Sequence, residues 1–126
     1  MTREIFVFGS NLAGRHGKGA ALFAAQNYGA VRGVGEGLTG NSYAIPTKGA
    51  RLEPMEFSEI AGAIQRFCEF ARSSPDVRFL VTPVGTGLAG HSKKAVARCL
   101  HENRMPANCV LTSSWLDHDG RRANDR

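Results

Sequence analysis

Long apolar runs are missing from this sequence. No stretch approaches the roughly 20 residues that a membrane-spanning helix needs. The opening Met-Thr-Arg-Glu-Ile-Phe-Val-Phe also lacks the basic start and long apolar core of a secretory signal. Together these absences predict a cytoplasmic protein with no membrane partner. Cysteine is scarce: Cys68, Cys99 and Cys109 are odd in number, widely spaced and without a CxxC pair. That excludes a disulfide framework and the usual zinc spacings. Buried thiols acting as small apolar residues are expected, with a catalytic thiol as the alternative. His, Cys and carboxylates do not gather at metal-ligand spacing, and no Ser/His/Asp set has nucleophile-elbow spacing. No metal and no resident cofactor is expected. Lysines and arginines never run five together, and aromatics are not interleaved with them. A net charge of +5 and a pI of about 9.6 favour anionic partners. Nucleic acid is the secondary choice among them.

What is present is an ordinary globular composition. The chain has 126 residues and 42% hydrophobic residues, enough for one domain with a core of its own. Ile5-Phe6-Val7-Phe8 is a short continuous apolar run, as in a strand buried on both faces. A helix is predicted from Lys18 to Tyr28, with Gly29 as its stop. Residues 33–42, with Gly33, Gly35, Gly37 and Gly40, read as an irregular loop. Ser42–Pro46 reads as a second strand, the proline marking its end or an edge position.

Phe57, Ile60, Ala61, Ile64, Phe67, Cys68 and Ala71 recur at helical spacing and predict a helix over about 56–72. Phe79–Thr82 is the third expected strand. A helix over Lys93–Asn103, with Val96, Ala97 and Leu100 inward, and a strand over Asn108–Leu111 follow. Strands alternating with helices predict a layered α/β domain on a mostly parallel sheet over residues 1–115. A polar tail over 116–126 is expected to fray.

Ten of the 15 glycines fall between Gly9 and Gly49, and three more are Gly85, Gly87 and Gly90. In α/β sheets, ligands bind beyond the carboxyl ends of strands. Two glycine-rich loops fall at such ends. The first, Gly9 to Gly19, carries Gly9, Ser10, Asn11, His16, Gly17, Lys18, Gly19 and Ala20 as candidate ligand contacts. Glycine lets backbone approach a ligand, and a helix starting near Lys18 would offer free N–H groups to a phosphate. Arg15, His16 and Lys18 can add charge or donors. A Walker-type loop is excluded: Leu12 stands where its first glycine belongs, and Gly19 follows the lysine instead of Ser or Thr.

The second loop offers Gly85, Thr86, Gly87, Leu88, Ala89 and Gly90 as a cradle for a second phosphate. Ser92 is a natural N-cap for the helix after it. His91 either lines the site or faces solvent. Gly35-Glu36-Gly37-Leu38-Thr39-Gly40 matches G-x-G-x-x-G literally, but it precedes a strand and opens no helix, so it is not a dinucleotide fingerprint. Lys48, at the end of the second strand, points to the same sheet edge. It can pair with a phosphate, act as a nucleophile, or be a solvated surface lysine.

Gly17-Lys18-Gly19-Ala20-Ala21-Leu22-Phe23 resembles the G-K-G-[IF]-A-x-x-F signature of macrodomains, closest to the subgroup of terminal ADP-ribose protein glycohydrolase. Ala44-Ile45-Pro46-Thr47-Lys48 resembles that subgroup's strand ending in Thr-Lys. Thr82-Pro83-Val84-Gly85-Thr86-Gly87-Leu88-Ala89-Gly90 resembles its P-x-[IV]-G-x-G-L segment. Ile5–Asn11 and Gly87–Gly90 also look like a family of small, mostly uncharacterised phage non-structural proteins, which would place the chain in a bacterial or phage-infected cell.

The macrodomain resemblance implies a three-layer fold binding ADP-ribose through the two glycine loops. It also implies Lys48 as the nucleophile of a glycohydrolase. That subgroup carries an acidic residue where Ala89 stands here, so its general acid/base is missing. The expected function is therefore binding of ADP-ribose or a related nucleotide diphosphate. The alternatives are an ADP-ribosyl hydrolase using Lys48 and a phage accessory protein that sequesters a nucleotide signal or binds a host protein.

Overall fold

A computed structural model describes residues 2–87 and 89–116. Nine elements follow one another: β1 (Arg3–Asn11), α1 (Gly19–Asn27), β2 (Gly37–Thr39), β3 (Ser42–Lys48), α2 (Phe57–Arg72), β4 (Val77–Val81), α3 (Lys93–Glu102), β5 (Cys109–Leu111) and a 3-10 turn at Ser113–Trp115. The strands form one sheet in the order β2-β3-β1-β4-β5. β1, β3, β4 and β5 run parallel, and only β2 is antiparallel to its neighbour. Expected and observed α/β architectures agree, as three layers with a mostly parallel sheet at the centre.

The chain's route explains the layers. From β1 it crosses to β3 on one side through α1, then passes back to β4 on the other side through α2, and on to β5 through α3. Parallel crossovers are overwhelmingly right-handed, so connections running in opposite directions put their helices on opposite faces. Accordingly α2 and α3 share one core and α1 has the other. Ile5, Val7, Tyr43, Ile45, Phe79 and Val81 point to α2 and α3, whereas Phe6, Phe8 and Ala44 point to α1. Strand residues alternate between the two because successive side chains leave a strand on opposite sides.

The helix stripe read from sequence holds. Ile60, Ile64, Phe67, Cys68 and Ala71 are buried, with Phe57 and Ala61 half-buried at its margin. Val96 and Leu100 are inward on α3, where Cys99 joins them in place of the half-buried Ala97. Gly29 ends α1 in the left-handed region, at φ 70°. The three thiols are free and buried. Desolvation pushes Cys68 up to about 11 and Cys109 up to about 12, and Cys99 is raised by the same cause. Buried in the core and away from the cleft lining, the thiols suit the small apolar role expected of them.

Two expectations need correction, and a third is decided between its alternatives. Residues 33–42 are not wholly irregular: Gly37-Leu38-Thr39 pairs with Ser42-Tyr43-Ala44 through a two-residue turn, with Gly40 at φ 61°. Three residues are too few to show alternation, and only Gly40-Asn41 marks the hairpin in the sequence. β1 also continues through Gly9-Ser10-Asn11, pairing with Ile45, Pro46 and Lys48 across a register irregularity after Ser10. Pairing with a neighbour overrides the poor strand propensity of these residues. Of the two places expected for Pro46, the structure selects the edge position, since the residue lies inside β3. β2 covers only Ser42–Ala44, so at Pro46 the flank away from β1 is a local edge that tolerates a missing N–H. The expected tail falls, from residue 117 on, outside the described residues.

Candidate functional site

β1 and β4 lie side by side, yet their following helices leave for opposite faces. That divergence opens a crevice at the carboxyl end of the sheet, the position where α/β folds take ligands. A cleft of about 780 Å³ occupies it, within the roughly 300–1,000 Å³ usual for small-molecule sites. The ends of β1, β3 and β4 form its floor, through Gly9–Asn11, Thr47–Lys48 and Thr82–Val84.

The first glycine loop reaches the cleft as the sequence suggests. Gly17, Lys18, Gly19 and Ala20 line it, and so does Ala21. The first intrahelical bond of α1 runs from Leu22 N to Lys18 O at 3.1 Å. The N–H groups of Gly19, Ala20 and Ala21 therefore have no helical acceptor, and they belong to residues of the cleft wall. Gly87 and Ala89 of the second loop line the cleft, with Gly85 beside them. Thr86 and Gly90 do not line it: Thr86 turns its hydroxyl back to Pro83 O at 2.7 Å, and Gly90 N bonds Gly87 O at 3.0 Å. Leu88 lies outside the described residues.

The two loops differ in one respect that the sequence left open. α1 opens directly on the cleft, but α3 does not. Between Gly90 and α3 stand His91 and Ser92, and Ser92 caps the helix by accepting a bond from Ala95 N at 3.0 Å. His91 serves neither cleft nor solvent. Its Nε2 stands 3.3 Å from Met55 O and its ring meets Phe57 edge-on at 5.3 Å, tying the second loop to the start of α2. Among the described residues only the N-terminus of α1 faces the cleft, so the second loop offers its own backbone there.

Most polar side chains in the cleft are committed to the protein. Ser10 Oγ donates to Gly35 O. Asn11 braces the loop with both ends of its amide, donating to Arg15 O at 2.8 Å and accepting from Arg15 N at 3.0 Å. Thr47 Oγ1 donates to Ser10 O at 3.3 Å, and Thr82 Oγ1 to Val7 O at 2.7 Å. These groups hold the loops in shape and have little left for a ligand. Of the candidate contacts, Gly9 has room for a β-carbon and no more, since one there would already touch Gly85 and Thr47 at van der Waals distance.

The charged lining is one-sided. Arg15, Lys18 and Lys48 border the cleft, and no Asp or Glu does so among the described residues. Lys48 is half-buried and has no salt bridge among the described residues. His16, a candidate contact, does not line the cleft. It is 9% exposed and packs edge-on against Phe8 at 5.3 Å.

The cleft also extends where no sequence signal pointed. Along the α1 face it reaches Phe6 and the half-exposed Phe23, and beyond β5 it reaches Thr112 and Ser114. Phe6 stacks on Tyr28, ring centres 5.0 Å apart and 9° from parallel, and Phe23 tilts against both. Thr112 and Ser114 are linked through their hydroxyls at 2.5 Å. Phe6 and Phe23 meet because α1 packs on β1, and Thr112 and Ser114 reach the cleft from the segment after β5.

A three-layer α/β domain with a glycine-walled cleft at its switch point has a macrodomain-like fold. Among solved structures it is similar to the macrodomain of Mycobacterium tuberculosis DarG, with a TM-score of 0.65 and 20% identity over 87% of this chain and 88% of that one. It is also similar to a protein of unknown function from Bacteroides thetaiotaomicron, with a TM-score of 0.64 and 12% identity over 89% and 87% of the two chains. A further protein from Bacteroides thetaiotaomicron gives 0.60 and 13%, over 89% and 88%. At these identities the likeness is one of fold. No protein-family model matches the chain, and no curated protein matches it by sequence. Among the described residues no helix is long and apolar enough to cross a membrane, and no three His, Cys, Asp or Glu side chains gather as a metal site would need.

Proposed function

We propose that this chain binds ADP-ribose or a closely related nucleotide diphosphate in the cleft between the two glycine loops. One observation carries the proposal: the wall combines the free N–H end of α1 with Arg15, Lys18 and Lys48, and no carboxylate opposes them among the described residues. A helix N-terminus and three cations suit two linked phosphates, and the bound charge has no acidic neighbour to repel it. Glycines at Gly17, Gly19, Gly85 and Gly87 let that diphosphate approach the backbone. The aromatic wall of Phe6 and Phe23 suits the apolar face of a nucleoside at the other end. The fold likeness to a macrodomain supports the same ligand class.

Calorimetric titration with ADP-ribose, beside AMP and NAD, tests this. Micromolar ADP-ribose affinity, clearly tighter than AMP, is expected. Equal affinity for AMP and ADP-ribose would remove the diphosphate from the argument.

A second reading rests on Lys48, which borders the cleft at the end of β3 and has no ion-pair partner among the described residues. As a nucleophile it would attack the anomeric carbon of an ADP-ribosyl group and expel the acceptor. Such a step needs a proton donor for the leaving group. Ala89 and the rest of the described lining supply no carboxylate for it. Binding without turnover is therefore the primary function proposed. ADP-ribose release from a modified acceptor, lost in Lys48→Ala, is the result that would reverse the order.

A further inference from the structure

His16 holds the only buried side-chain nitrogens without a hydrogen-bond partner among the described residues: both Nδ1 and Nε2 are unpaired. The ring is nine-tenths buried, edge-on to Phe8. At least one ring nitrogen of any imidazole is an N–H donor. Burying a donor and an acceptor with no partner is costly, and a state of the molecule that pairs one of them offsets that cost. The backbone around His16 is free to change. Asn11 braces the chain as far as Arg15, and the next held atom is Lys18 O, which accepts from Leu22. Between them the backbones of His16 and Gly17 make no hydrogen bond among the described residues. Gly17 and Gly19 have open space at their Cα positions, and Gly19 sits at φ 55°. The neighbours on both sides, Arg15 and Gly17, already line the cleft while His16 does not.

We infer that His16 is a latch: it is held against Phe8 in the free protein, and turns into the cleft when an anion binds, where a ring N–H donates to a phosphate oxygen. The move is a rotation of the His16–Gly17 backbone that leaves the Asn11 brace and α1 in place. It gives the ring nitrogens the partner they lack, so the bound state is favoured over and above the contacts of the glycine wall. The inference rests on the anion-binding role proposed for the cleft.

The experiment compares wild type with His16→Phe and His16→Gln, titrating ADP-ribose and inorganic pyrophosphate and measuring each melting temperature. Phenylalanine keeps the packing on Phe8 and has no donor to give. It should melt at or above the wild-type temperature and bind both ligands at least tenfold more weakly. Glutamine keeps a donor and should recover part of the affinity. Three results overturn the latch: wild-type affinity in His16→Phe, a lower melting temperature in that variant, or no recovery in His16→Gln. The first excludes a phosphate contact, the second shows that the buried nitrogens have partners after all, and the third assigns the loss to packing. Failure of wild type to bind either ligand removes the cleft's anion role and the latch with it. Undiminished binding by His16→Phe removes the latch alone.

Discussion

A β-carbon on Gly9 would stand 3.4 Å from the amide nitrogen of Gly85 and about as far from the side chain of Thr47. The end of β1 and the loop after β4 are thus in contact across the floor of the cleft, and neither glycine is spare. Gly9→Val adds two further methyls to a place already at van der Waals distance. It should destabilise the fold by about 1–3 kcal/mol, as overpacked sites do, and loosen the cleft. A lowered denaturation midpoint with unchanged denaturant slope is the expected readout.

Gly87 gives the opposite case. A β-carbon there meets nothing within 4 Å, and its backbone is not in the left-handed region. Gly87→Val should leave stability within about 0.5 kcal/mol of wild type, as at ordinary surface sites. Its added bulk stands at the wall of the cleft, so ADP-ribose binding should be lost. A folded Gly87→Val protein with full affinity would take the diphosphate away from this loop.

Gly40 tests the part of the fold that was hardest to foresee. It turns β2 into β3 at φ 61°, and a β-carbon there would run into the carbonyl of Gly29, which ends α1. Gly40→Ala therefore meets both a strained backbone and a collision. A loss of about 1–3 kcal/mol is expected for a non-glycine residue held in such a conformation. Thermal melting checks the value, and backbone amide exchange at Leu38 and Tyr43 should rise with it.

The two halves of the molecule were unequally legible in the sequence. α2 could be read because Ile60, Ile64, Phe67 and Ala71 repeat at the helical period over 16 residues and all face one core. The glycine loops could be read because turn residues concentrated after apolar runs have few other uses. β2 was hard to read because three residues are too few to show alternation, and only Gly40-Asn41 marks its hairpin with β3. The aromatic wall was invisible for another reason. Phe6 and Phe23 come from separate elements, and nothing local to either says that α1 brings them together over β1. Ser10 and Asn11 were correctly placed at the cleft, but their side chains turned out to be spent on Gly35 and Arg15. Sequence can place a polar residue at a site more readily than it can say which partner its polar atoms choose.

Alkaline pH should destabilise the fold from about pH 9 upward. Cys68 is raised from 9.0 to about 11, Cys109 from 9.0 to about 12, and Tyr43 from 10.0 to about 12, in each case chiefly by burial. A folded pKa above the unfolded one means that the native state holds its proton longer. Between the two values the unfolded chain binds fewer protons, so stability is complete below pH 9 and falls as pH climbs toward about 12. Melting temperatures from pH 7 to 11 should fall along this range. Cys109→Ala should flatten the early part of the fall, and thiol reagents should label the native protein slowly at neutral pH.

Lys48 separates a binding site from a catalytic one. It borders a cleft lined by three cations and, among the described residues, by no carboxylate. If its role is to neutralise phosphate, Lys48→Met should weaken ADP-ribose by roughly ten- to a hundredfold, consistent with about 1.5–3 kcal/mol for a hydrogen bond to a charged group. Raising the salt concentration should weaken wild type more than the variant, because the variant has one cation fewer to screen. Lys48→Arg should keep most of the affinity, since it keeps the charge. A nucleophile behaves differently: Lys48→Arg would then be as inactive as Lys48→Met, because an arginine that stays protonated has no lone pair to offer. Arginine rescue of binding, with no ADP-ribose released by wild type in a single-turnover assay, is the expected pair of results. Release by wild type that neither variant supports would make Lys48 the nucleophile and require a proton donor from beyond the residues that line the cleft.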